Sequence, residues 1–175
     1  MLSCLKITAQ TKLLEIKKFV PENSKVLSLT LGHLNEDNFE DALLILGSKE
    51  EDSTSFNDEL KRTILILISD SSGNLVVKES NNSLVYCKAC GGIFGDPLEG
   101  VDILKDKSFV VRHYGGSSWR WTFNITFQFS KAENTWILEK EESSSYFNMN
   151  IDSTMKEKLV IPKGVMLFRN YKNEN

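Results

Sequence analysis

Residues 119–129 read WRWTFNITFQF, and the reading of this stretch decides the fold. Trp119, Trp121, Phe123, Ile125, Phe127 and Phe129 fall on one side of an extended chain, and Arg120, Thr122, Asn124, Thr126 and Gln128 on the other. A strand turns successive side chains to opposite faces, so this unbroken alternation specifies a long antiparallel strand with one dry and one wet face. The apolar stripe is expected in the core, because large apolar side chains gathered on one face are normally buried. The polar row is a solvated sheet face or a set of donors and acceptors for a partner.

The same period extends outward. NTWILEKE returns beside the long strand after a turn at 131–133, and SFVVRHY and VDILK precede it. Further upstream, KVLSLTL alternates as a half-buried strand, and Ala42 to Leu46 is a short apolar run. RTILILI is apolar on both faces and reads as a central strand. SDSSGN is a turn signal before the strand NLVVKE, and a last strand is expected within KLVIPKGVMLF. Near the N-terminus, Leu13, Ile16 and Val20 share a helical face, predicting a short amphipathic helix that ends before Pro21. The expectation is a mainly β chain forming one domain over 1–175. It divides into a helical segment at 1–20, an antiparallel sheet resembling a meander or propeller blade over 24–168, and a polar tail at 169–175.

Composition bounds the function. The chain has 175 residues, 41% of them hydrophobic and 26% charged, as in an ordinary globular protein. A net charge of −3 argues against nucleic acid or an anionic membrane as partner. No apolar run approaches the roughly 20 residues of a membrane span. MLSCLKITAQTKLLEIKK lacks the apolar h-region of a signal peptide, so a cytoplasmic location is expected, or a periplasmic one had a leader been removed.

Residues 31–41, LGHLNEDNFED, raise the question of a calcium loop. Asn35, Asp37, the Phe39 carbonyl and Asp41 have the alternate spacing by which a tight loop gathers oxygen ligands. LGHLNEDNFEDALLIL is similar to the FG-GAP or VCBS-type repeat. RTILILISDSSGNL, GGIFGDP and HYGGSSWRW resemble an uncharacterised, often exported bacterial family that carries one such repeat. The resemblance spans roughly residues 20–146 and implies fold more than activity. It makes Asn35, Asp37, Phe39 and Asp41 the calcium positions, but His33 stands where the first Asp belongs and Asn38 where a Gly permits the sharp turn. Imidazole is a poor calcium ligand. The favoured expectation is therefore that these side chains pin the turn by bonding backbone groups, with no cofactor, and calcium as the alternative.

Cys87 and Cys90 form a CxxC pair without the further ligands of a structural zinc site. They are expected as structural thiols, with a disulfide second and metal or redox work third. His113 lies on the same alternation face as Phe109 and Val111, and is expected at the core edge, bonded to backbone. A hydrolase built on His113 with Ser117, Ser118 or Asp96 is the remote alternative: GGSSW is no nucleophile elbow, and GGIFGDP lacks the Lys-Ser/Thr of a phosphate loop. The glycines of GGIFGDP instead suggest close backbone approach to the sheet.

With no complete catalytic set, the expected function is non-catalytic protein binding. Its most concrete form is an immunity- or inhibitor-type protein that neutralises a bacterial toxin with a basic domain. The alternative is a calcium-responsive envelope domain. Two loops are candidate docking surfaces. SKEEDSTSFNDE, residues 48–59, offers Glu50, Glu51, Asp52, Asp58 and Glu59 as steering charges. HYGGSSW, at the mouth of the longest strand, offers Arg112 and Tyr114 beside Arg120.

Overall fold

A computed structural model describes residues 15–53 and 60–173. Strands β1 (Ser24–Gly32), β2 (Asp41–Ser48), β3 (Thr63–Ser69) and β4 (Leu75–Asn81) form one sheet in chain order. Strands β5 (Leu98–Ile103), β6 (Ser108–Gly116), β7 (Trp119–Ser130), β8 (Thr135–Phe147) and β9 (Lys156–Val160) form a second sheet, also in chain order. Every neighbouring pair is antiparallel. The expected mainly β, antiparallel meander is present, as two successive meanders, and the first has the four strands of a propeller blade. Among the described residues no helix is long and apolar enough to cross a membrane.

Two clusters explain the packing. Leu43, Ile45, Ile64 and Ile66 of the first sheet meet Val101, Phe109, Val111, Ile125, Phe127 and Trp136 of the second in one buried core. Ala42, Leu44, Leu46, Leu65 and Leu67 face the other way and pack with Ile16, Phe19 and Val20. This is why RTILILI is apolar on both faces: Ile64 and Ile66 belong to one cluster, Leu65 and Leu67 to the other. The expected N-terminal helix falls largely outside the described residues. Its described end includes a 3-10 turn, Lys17–Phe19, that stops before Pro21.

The expected polar tail at 169–175 needs correction. Phe168 and Tyr171 are buried in the main core, and the Asn81 side-chain amide donates to both their carbonyls, at 2.6 and 2.9 Å. Arg169 donates to Glu79 and the Tyr171 hydroxyl to Glu141. Charges and amides that look like a solvated tail in sequence serve here to satisfy buried partners, while two aromatic side chains carry the burial.

The stripe on β7 is buried by degrees. Ile125 and Phe127 are fully buried, Phe123 and Phe129 partly, and Trp119 is 51% exposed. The expectation of a core role thus fails at Trp119. The cause is length: β7 and β8 run for 12 and 13 residues against 7 to 9 in the first sheet. The core reaches Phe123, Ile125, Phe127 and Phe129 of β7 but not Trp119 or Trp121, so this end of the ribbon extends past it. On the polar row the opposite departure occurs: Thr126 is buried, next to the bulge between Thr126 and Phe127.

Candidate functional site

The overhanging end of the β6–β7–β8 ribbon collects the side chains best suited to recognition. Arg120 stands directly opposite Tyr146 on β8, and Tyr114 on β6 stands opposite Thr122, one step along the same face. The Tyr146 hydroxyl bonds Tyr114, and this contact is the main reason its pKa is raised. Above them lies the loop GGIFGDP. Its Phe94 ring covers the Arg120 guanidinium, with Cζ 3.5 Å from the ring centroid, and tilts against Tyr114 at 6.1 Å. Ile93 and Phe94 nonetheless remain exposed at the loop tip. Trp119 and Phe147, in contact with each other, lie on the opposite face of the same end of the ribbon.

The backbone explains why the loop can lie so close. Gly92 bridges to Gly116, and a Cβ on Gly92 would sit 2.9 Å from the Gly116 carbonyl oxygen. A Cβ on Gly115 would be 2.5 Å from the Trp121 ring. The close approach to the sheet expected of the GGIFGDP glycines is present at Gly92, while Gly95 has open space around it.

Arg62 ties the base of this loop to the first sheet. Its guanidinium is fully buried and makes four hydrogen bonds: two to Glu51, at 2.9 and 3.1 Å, and two to Asp96, both at 2.7 Å. Desolvation would lower its pKa, but the bonds to Asp96 and Glu51 outweigh that and raise it. Asp96, partly desolvated, is held below the usual carboxylate range by the same pairing.

This clamp changes the reading of the acidic segment. Glu51 is buried against Arg62, so it is not a steering charge. Asp52 is paired with Lys25 at 2.6 Å and Lys88 at 3.0 Å, which lowers its pKa. Glu50 is exposed on a 3-10 turn capped by Ser48. Asp58 and Glu59 lie outside the described residues. The segment looked solvated because its cationic partners are distant in sequence. Arg112 is likewise paired, with Asp102 across the strand at 2.9 Å.

The 31–41 loop is pinned by its own side chains. Asn35 accepts from the Asp37 amide and Asp37 from the Phe39 amide, while the Asn35 side-chain amide donates to Asp37. His33 Nδ1–H donates to the Phe39 carbonyl at 2.8 Å. Asp41 is fully buried, and its two oxygens accept from the Leu34 and Ser69 amides. Desolvation raises its pKa despite those bonds. The four oxygens proposed for calcium are thus each engaged within the protein. His33 occupies the carbonyl to which a cation would bind.

Cys87 and Cys90 are joined in a disulfide, the second of the sequence expectations rather than the first. His113 is 1% exposed, and its Nε2 accepts from the Tyr86 amide at 3.4 Å. Tyr86 meets the imidazole edge-on at 4.7 Å, and burial pushes the His113 pKa down to about 4. Asp96, its suggested partner in catalysis, is taken by Arg62.

Sequence reasoning reached Arg112, Tyr114 and Arg120 on this face but missed Phe94, Tyr146 and the Arg62 clamp. Phe94 carried one signal, a large aromatic between glycines in GGIFGDP; Gly92 and Gly95 both have positive φ, 70° and 78°. Tyr146 carried none, because its role depends on the register of β8. In comparison with known proteins, no family model fits the chain, and no curated protein or solved structure matches it.

Proposed function

We propose that this protein is a non-catalytic binding domain whose partner docks on the overhanging end of the second sheet. Its most concrete form is an immunity- or inhibitor-type protein directed at a bacterial toxin. The observation that carries this reading is the cluster of Phe94, Tyr114, Tyr146 and Arg120 on one face of a rigid ribbon, with Phe94 half exposed. Trp, Tyr and Arg are the side chains in which interface binding energy concentrates. The acidic segment serves less well, since Glu51 and Asp52 already have cationic partners.

The net charge of −3 remains compatible with a basic partner approaching from a distance. The Cys87–Cys90 disulfide supports an exported location over a cytoplasmic one, because such bonds persist in oxidising compartments. The experiment is capture from the native cell with the wild-type protein and with Tyr114→Ala in parallel, followed by titration of the purified partner. The expected result is a stoichiometric partner whose affinity falls at least tenfold in the variant, a hot-spot-sized loss. Recovery of no stoichiometric partner, or equal affinity for both proteins, overturns the reading.

A further inference from the structure

Among the described residues, Arg62 and Arg120 both have desolvated guanidinium nitrogens, and they are treated differently. Arg62 is satisfied by two carboxylates through four hydrogen bonds. Arg120 has Nε and Nη1 out of contact with water and without any hydrogen-bond acceptor. Phe94 compensates one face of the Arg120 guanidinium by a cation–π contact, but a ring over the face does nothing for donors in the plane. Buried donors left unpaired in a folded protein call for an explanation, and charged ones most of all.

We infer that Arg120 is an anchor for a carboxylate brought by the partner, an acidic side chain that replaces what Glu51 and Asp96 supply to Arg62. This rests on the docking face proposed above. Two features favour that chemistry. A guanidinium edge matches a carboxylate in plane and spacing. The Tyr146 and Tyr114 hydroxyls, on the same face, can add a donor to the bound anion. Because Nε and Nη1 are buried, the cover around the guanidinium must open on binding, and the Ile93–Phe94 tip that packs over it is flanked by glycines at positive φ.

The test uses the purified full-length chain and small anions, so it does not depend on finding the partner. The Arg120 Nε–H resonance is followed by ¹H–¹⁵N NMR during titration with N-acetyl-aspartic acid amide, with inorganic phosphate and chloride at matched ionic strength as comparisons. The blocked aspartate should give a saturable shift at millimolar concentration, phosphate a weaker one and chloride none. Phe94→Ala should tighten aspartate binding several-fold by removing the cover, and Arg120→Lys should weaken it at least tenfold. The wild type decides alone should a variant fail to fold. Absence of a saturable shift in the wild type, or an equal shift with chloride, overturns the inference. A stoichiometric partner still captured in that case would leave the docking face standing without its carboxylate, whereas anion binding without a partner would reverse the two outcomes.

Discussion

The two sheets are built from similar hairpins but sit in different surroundings. In the first sheet, β2 and β3 are apolar on both faces, since the second sheet covers one and the segment around Ile16 the other. In the second sheet the inner face is covered, while the outer face is buried only near Ser108, Val110 and Thr126 and beyond them carries Arg112, Tyr114, Arg120, Thr122 and Asn124. The first is scaffold by necessity, because any polar group placed there would need a buried partner. Only the second has a face free to carry recognition residues, and only its overhanging end lets large aromatic side chains reach solvent.

The sharpest test of this division is the clamp between the halves. Arg62→Ala would leave Glu51 buried beside an empty site and is expected to cost roughly 3–5 kcal/mol, as for other broken buried ion pairs. Urea unfolding measures this, and a loss below about 1 kcal/mol would mean that the clamp is not what joins the sheets.

Next in size is a matched pair of truncations. Leu67→Ala, in the doubly covered sheet, should cost about 2–5 kcal/mol. Trp119→Ala, on the overhang, should cost less than about 1 kcal/mol, since a half-exposed side chain leaves little cavity. Equal losses at the two positions would erase the distinction between scaffold and docking face.

The buried imidazole of His113 gives a pH signature. Its folded pKa of about 4 lies below the ordinary 6.5, so the unfolded chain binds the extra proton between those values. Stability should therefore fall as pH drops from 6.5 to 4, by roughly 3 kcal/mol for this group. His113→Gln should flatten the slope in that window, separating it from carboxylates that titrate lower. An unchanged slope in the variant would place the pH sensitivity elsewhere.

The smallest effect is expected at the 31–41 loop. Asp37→Ala removes the acceptor for the Phe39 amide on an exposed turn and should cost about 1 kcal/mol. Millimolar calcium should leave the melting temperature unmoved in both proteins. A rise in the wild type that vanishes in the variant would restore the calcium reading.

Local pattern determined much of this protein. The alternation of WRWTFNITFQF, the two-faced apolarity of RTILILI and the intervening turn signals located the strands, because period-two burial is written residue by residue along the chain. The side chains that pin the 31–41 loop were legible too, since Asn35 and Asp37 act on amides two residues on and Asp41 on that of Leu34, although the second Asp41 bond, to Ser69, was not. Whatever depended on partners far along the chain was decided by tertiary structure alone. Glu51 looked like a surface charge until Arg62 and Asp96 closed on it, and the polar tail looked solvated until Asn81 and Glu79 met it. Trp119 looked buried because its stripe is continuous, and nothing local says where the covering sheet ends. Phe94 reaches Arg120, and Tyr146 faces it, only through the packing of a loop and the register of a hairpin. Burial along a strand is a property of the strand's own period, but the pairing of a charge and the reach of a cover belong to segments that meet only when the chain has folded.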